Sequence, residues 1–100
     1  MIGRLTAIVL DCREAVPLAR FWAAALGWAV RPYDEAEVAR LASLGYTPQS
    51  DPSVAVDAPD GSVTLFCQEV PEPRTVKNRM HLDLQLASSA ERDRLLALGR

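Results

Sequence analysis

The sequence predicts a single α+β domain in which a strand followed by a helix occurs twice. Residues 5–12 (LTAIVLDC) and 79–86 (RMHLDLQL) match in length and alternation, and the segment after each of them ends in Leu-Gly. Further short β-type runs follow only the first copy. A repeat of this kind indicates two like structural units, the second of which ends with its helix.

Composition restricts the classes of function. The chain has 100 residues, 49% of them hydrophobic and 24% charged, which is enough for one soluble domain with one core. A net charge of -2 argues against nucleic acid or an anionic membrane as an obligate partner, because phosphate binding needs a concentrated positive surface. No apolar run reaches the length of a membrane helix.

Two cysteines, Cys12 and Cys67, lie far apart without CxxC spacing, and no signal peptide is recognisable at the start of the chain. We therefore expect reduced thiols in a cytoplasmic protein. Each thiol is most simply interpreted as a small buried hydrophobic group, with a reactive or metal-binding thiol as the alternative.

The first copy begins with a strand over residues 5–12. Its period of two places Thr6, Ile8 and Leu10 on the inner face and Ala7, Val9 and Asp11 on the other. Residues 14–26 form the first helix, with an apolar stripe that includes Phe21 and Trp22, and Gly27 ends it.

The rest of this copy contains a short helix and three strands. Residues 28–33 form a strand, and residues 34–44 form a short amphipathic helix with an acidic start. Residues 53–58 and 62–70 form a hairpin around the turn at 59–61. In the second hairpin strand one face carries Val63, Leu65 and Cys67, and the other carries Thr64, Phe66 and Gln68.

The only histidine lies in the strand predicted for the second copy. There Met80, Leu82, Leu84 and Leu86 alternate with the polar residues His81, Asp83 and Gln85. The polar face either is solvated or lines a ligand site. Before it, the basic cluster Arg74, Lys77 and Arg79 could bind an anionic group, or could simply be a solvated linker.

The segments LDCREAVPLARFWAAALGW and DAPDGSVTLFCQEVPEPRTVKNRMHLDL resemble the glyoxalase-like branch of the vicinal oxygen chelate superfamily, which includes glyoxalase I, bleomycin-resistance proteins and extradiol dioxygenases. The resemblance implies an α+β fold of paired βαβββ modules that enclose a small-molecule cavity. It also implies the domain organisation: a first module over about residues 1–70, a linker over 71–78, and a second module over 79–100 that is truncated after its helix.

Metal-dependent members of this superfamily hold a divalent ion with His, Gln or Glu from the first and last strands of each module. The first of these positions aligns with Ala7, which cannot be a ligand. His81 aligns with another, and Gln68 or Glu69 lies near a third. With at most two ligands a divalent ion would bind poorly, so we expect no metal and no other cofactor, although His81 is a candidate metal ligand.

Three functions follow as alternatives. The first is a non-catalytic binder of a small molecule, with an apolar cavity lined by Val9, Phe66 and Trp28, where His81, Asp83 and Gln68 orient the ligand. The second is a metal-dependent lyase or dioxygenase. The third is a structural module that serves association alone. Ala7 favours the first.

A homodimer is also expected. A second module with a single strand leaves backbone groups unpaired at a sheet edge, and such an edge recruits another chain. A second copy would cover this edge and shield Leu95, Leu96 and Leu98 of the last helix. Alternatively, the full protein is longer than this chain, and the pocket is incomplete here.

Overall fold

The computed structural model describes residues 1–99, which form three helices and four strands. In chain order the elements are β1 (Ala7–Cys12), α1 (Ala15–Leu26), β2 (Ala29–Val30), α2 (Glu35–Ser43), β3 (Ser53–Asp57), β4 (Thr64–Glu69) and α3 (Ser89–Leu98). The predicted fold class was α+β, with paired βαβββ modules of which the second is truncated after its helix. The α+β class and the truncated βαβββ architecture are confirmed.

The four strands form one mixed sheet in the order β1-β4-β3-β2. β1 and β4 are parallel neighbours with Val9 opposite Phe66, while β3 runs antiparallel to both β4 and β2. The connection between β3 and β4 is the predicted hairpin, in which Gly61 adopts a φ of 73°. That left-handed backbone conformation favours glycine, so the DG dipeptide at 60–61 is suited to the turn.

α1 covers one face of the sheet and forms the core with it. Its two fully buried residues, Ala15 and Ala19, are small, so the helix backbone can lie close to the strands. Against them pack the alternate residues of β3 and β4, namely Val54, Val56, Leu65 and Cys67. These are the faces that period-two alternation predicts.

A carboxylate at the end of β4 caps the start of α1. Oε2 of Glu69 accepts a hydrogen bond of 3.0 Å from the backbone N–H of Ala15, and the N-cap residue Glu14 makes no side-chain cap of its own. At its other end α1 stops at Gly27, whose φ is 68° and whose N–H bonds to the carbonyl of Ala23.

The strand predicted over residues 80–86 is wrong. This segment has no β-structure in the described chain, and nearly all of it is exposed. Its alternation is real, but a strand needs a neighbour for its N–H and C=O groups, and no strand among residues 1–99 lies beside it. The last residue of the predicted second module, Arg100, lies outside the described residues.

α3 follows this segment and packs against α1. Ser88 caps it by accepting from the N–H of Glu91. The helix has no fully buried residue, since Leu95 is half-buried and Leu96 and Leu98 are exposed. Within residues 1–99 no helix has both the length and the apolar character that crossing a membrane requires.

Candidate functional site

The sheet face opposite α1 is open, and it carries the candidate site. Alternation brings its side chains into rows across the strands, of which the central row contains Val9, Phe66 and Ala55. A neighbouring row contains Thr64 and Asp57. Val9 is 54% exposed, so this apolar surface is not covered within the described chain.

A cleft of about 510 Å³ lies where α2 and the loops beside it meet this open face. We call it the open-face cleft. Its lining combines apolar side chains with charged and hydroxyl groups: Arg31, Pro32, Tyr33, Asp34, Ala36, Glu37, Arg40, Asp51, Ser53, Ala55 and Phe66. A concave site of this size with a few convergent polar groups is typical of small-molecule binding.

Arg31 is held in place beside the cleft by a bidentate ion pair. Its Nε and Nη2 donate to Oδ2 and Oδ1 of Asp57 at 2.9 and 2.8 Å. Thr64 donates to the same carboxylate at 2.6 Å, and the guanidinium lies 5.7 Å from the centre of the Phe66 ring. These bonds, first those from Arg31, lower the pKa of Asp57 below its ordinary value. The network keeps a cation on the face of an aromatic ring.

A second polar contact fixes the other side of the cleft. The hydroxyl of Tyr33 donates to Oδ2 of Asp51 at 2.6 Å, and Oδ1 accepts from the N–H of Ser53 at 2.9 Å. Asp51 is only 3% exposed. Because of these two bonds, each oxygen of its buried carboxylate has a hydrogen-bond partner. Burial, followed by the bond to Asp51, raises the pKa of Tyr33 strongly. Tyr33 thus stays protonated and acts as a neutral donor.

α2 presents its residues 36, 37 and 40 to the cleft, one face at helical spacing. Asp34 begins the helix by accepting from the N–H of Glu37 at 2.8 Å. Arg40 donates from Nε and Nη2 to the two oxygens of Glu37. This pairing raises the pKa of Arg40 and lowers that of Glu37.

Three of the predicted ligand-binding residues lie on the open face. Phe66 lines the cleft, Val9 lies beside Phe66 on β1, and Gln68 is exposed near the end of β4. Trp28 does not lie there. It precedes β2, shares the face of Val30, and packs against the core beneath α1, so the prediction that it lines the cavity is wrong in its placement.

The remaining predicted residues lie in the exposed segment between β4 and α3. His81 and Asp83 are exposed and do not line the open-face cleft. Arg74, Lys77 and Arg79 are exposed too, and within residues 1–99 none of the three forms an ion pair. The structure therefore does not bring these five residues to Phe66.

The donors expected for a metal do not converge. Ala7 offers no ligand, and Glu69 has the parity of Cys67 and faces α1, where it caps the helix. Gln68 alone keeps the predicted position on the open face. Across residues 1–99 no three His, Cys, Asp or Glu side chains are grouped as a metal site. The residues present do not fit the divalent ion of metal-dependent relatives.

The two cysteines lie on the helix side of the sheet. Burial raises the pKa of Cys67 to about 11, and burial together with Glu69 and Asp11 raises that of Cys12. Both effects disfavour the reactive thiolate. Cys12 borders a smaller cleft of about 420 Å³ between the start of α1 and the end of α3, which also contains Phe21 and Leu98.

Sequence reasoning missed the polar residues of the cleft, chiefly Arg31, Tyr33, Asp51 and Asp57. Alternation gives one signal for them. Asp57 has the parity of Ala55 on β3, opposite the buried Val54 and Val56, so a carboxylate on the open face could have been found. Its pairing with Arg31 depends on the register of β2 and β3, which the sequence alone does not show.

Comparison with known proteins bears on this arrangement. The family model described as "Glyoxalase-like domain" matches residues 7–99. This chain belongs to the glyoxalase-like domain family. The family match confirms the resemblance to the vicinal oxygen chelate superfamily.

One solved structure, "Oxidase ChaP-H2", is similar to this glyoxalase-like domain with a TM-score of 0.52 and 21% sequence identity. At that identity the likeness shows the fold alone. The alignment covers 97% of this chain and 60% of the oxidase chain, so the domain spans about three fifths of that structure's length. No curated protein matches the sequence.

Proposed function

We propose that this glyoxalase-like domain binds a small, largely apolar molecule in the open-face cleft, and that the residues of this chain do so without a divalent ion. The observation that carries the proposal is the position of Phe66. This ring lies on the sheet face away from the core, and it lines a cleft of about 510 Å³.

The lining supports binding more than catalysis. Phe66, Ala55, Pro32 and Ala36 offer apolar surface, while the polar groups are held by one another and orient rather than react. Tyr33 stays protonated because its pKa is raised, so it is not available as a base, and His81 lies outside the cleft. An apolar body with polar groups around it is what a binding site for an amphipathic compound requires.

Titration with 2-ethylnaphthalene, an uncharged apolar probe, tests the proposal. Backbone amide shifts in the ¹H-¹⁵N spectrum are expected around Ala55 and Phe66. Phe66→Ala should weaken binding by about tenfold, because the lost ring surface contributes roughly 1.4 kcal/mol. Phe21→Ala is the matched control, since Phe21 lies in the smaller cleft beside α3.

Shifts confined to the smaller cleft, with affinity lost in Phe21→Ala, would move the site away from the open face. Absence of any binding by naphthalene compounds would contradict the proposal as a whole.

We propose further that a second copy of the chain covers the open face. Support comes from Val9, an apolar side chain on that face that the described chain leaves 54% exposed. Sedimentation velocity over a range of concentrations is expected to show a dimer. Val9→Asp should shift it to the monomer, because it places a charge on the uncovered apolar surface of that face. A concentration-independent monomer would refute this part.

A further inference from the structure

We infer that the open-face cleft selects uncharged apolar compounds that carry an oxygen acceptor of the carbonyl type, and that Arg40 donates a hydrogen bond to that oxygen. This selectivity rests on the proposed function. It follows from which side-chain donors and acceptors of the lining are already engaged.

The unengaged groups of the lining are mainly donors. Arg31 and Arg40 each bind a carboxylate through Nε and Nη2, and Nη1 of each has no hydrogen-bond partner within residues 1–99. The hydroxyl of Ser53 likewise makes no bond in the described chain. Two free guanidinium nitrogens and a hydroxyl therefore border one cleft.

Nearly all carboxylate oxygens of the same lining already accept a bond. Both oxygens of Asp51 and both oxygens of Glu37 accept bonds from the protein. One oxygen of Asp34 accepts from the N–H of Glu37, which leaves its second oxygen as the free carboxylate acceptor of the lining. A ligand that supplies acceptors therefore matches the lining better than a ligand that supplies donors.

Charge decides between a neutral and an anionic acceptor. The lining contains two cations, Arg31 and Arg40, and three carboxylates, Asp34, Glu37 and Asp51, and the carboxylate of Asp57 lies just outside. A carboxylate ligand would meet excess negative charge, and each guanidinium is already neutralised by its own partner. A carbonyl oxygen gains the hydrogen bond without that repulsion.

Four probes on one ring system test the inference: 2-acetylnaphthalene, 2-ethylnaphthalene, 2-naphthoate and 2-naphthylmethylammonium. The acetyl compound is expected to bind about three- to tenfold more tightly than the ethyl compound, which is the effect of one hydrogen bond. The naphthoate and the ammonium compound are expected to bind more weakly than the acetyl compound.

The chain offers a matched pair of variants. Arg40 and Arg94 both pair with a glutamate three residues earlier on an exposed helix face, but only Arg40 borders the cleft. Arg40→Met should remove the preference for the acetyl over the ethyl compound, so that the variant binds the two compounds with the same affinity. Arg94→Met should alter neither affinity.

Equal binding of the acetyl and ethyl compounds in the open-face cleft would overturn the inference and leave the proposed function standing. Tightest binding of the naphthoate or of the ammonium compound would overturn it in the same way. Equal losses of the acetyl preference in Arg40→Met and Arg94→Met would show a general charge effect and would also overturn it.

Discussion

Asp57 and Arg31 show how single residues shape the open face. Their ion pair spans β3 and the chain just after β2, with side chains 30% and 53% exposed, so solvent screens much of the attraction. The ion pair therefore matters more for positioning the guanidinium than for stability. Held by Asp57, the guanidinium stays near the ring of Phe66 and fixes the polar edge of the cleft.

Asp57→Asn is expected to lower the free energy of unfolding at pH 7 by about 0.5 to 1 kcal/mol. Because the folded-state pKa of Asp57 is depressed, its stabilisation is present above the ordinary value of 3.8 and is lost as the pH falls below it. Urea unfolding at pH 7 and pH 3 should therefore show a difference that shrinks in acid. Asp83→Asn, which changes an exposed carboxylate, is the control. A loss of stability in Asp57→Asn that is the same at pH 7 and pH 3 would contradict a stabilising role of the Asp57 carboxylate.

Tyr33→Phe is expected to cost about 1 to 3 kcal/mol, because it leaves an oxygen of the buried Asp51 without its donor. Tyr46→Phe is the matched control, since Tyr46 is exposed and its hydroxyl makes no hydrogen bond in the described chain. Chemical denaturation of both variants measures the difference. Equal stabilities of the two would show that the contact contributes nothing.

At the scale of elements, alternation in the first module is what the sequence predicted best. The faces of β1, β3 and β4 follow from period two, because one side of each strand had to be apolar to meet α1. Trp28 was misplaced because β2 is only two residues long, too short for its own pattern to identify its face. Trp28 is two residues before Val30 and so shares its core-facing side, which was the available signal.

Residues 80–86 were misassigned for a different reason. Alternation shows that one face of a segment is apolar and could pack in a sheet. A strand also needs a neighbouring strand for its backbone hydrogen bonds, and the pattern of one segment does not show whether such a neighbour exists. The polar contacts of Arg31 and Tyr33 were missed because they join residues 18 to 33 positions apart, across elements whose register only the folded sheet defines.

Glu69 lies at the end of β4 and caps the start of α1, so its substitution should weaken the contact between these two elements. Glu69→Ala is expected to destabilise the fold by about 1 kcal/mol, since it removes an acceptor and a negative charge from the start of α1. Glu69→Gln should cost less, because the amide oxygen can still accept. Thermal unfolding followed by circular dichroism measures both, with the exposed Glu72→Ala as control. Equal effects of Glu69→Ala and Glu72→Ala would exclude the capping role.

For the whole molecule, the core is confined to the first module. Every fully buried apolar residue lies between Ala15 and Cys67, and residues 71–99 contribute none. A chain of residues 1–70 is therefore expected to fold cooperatively, with a free energy of unfolding within about 2 kcal/mol of the full chain. Loss of the cooperative urea transition in the shortened chain would show that α3 is required for folding.

The parallel pairing of β1 with β4 has a kinetic consequence. Residues 7 and 64 are register partners, so β1 has no partner in its sheet until 57 further residues have been synthesised. Contacts of such long sequence separation slow folding. In the nascent chain β1 therefore leaves the ribosome unpaired, although it is rich in β-branched residues. The hairpin of β3 and β4 has local contacts, so we expect it to form first and β1 to pair with it afterwards.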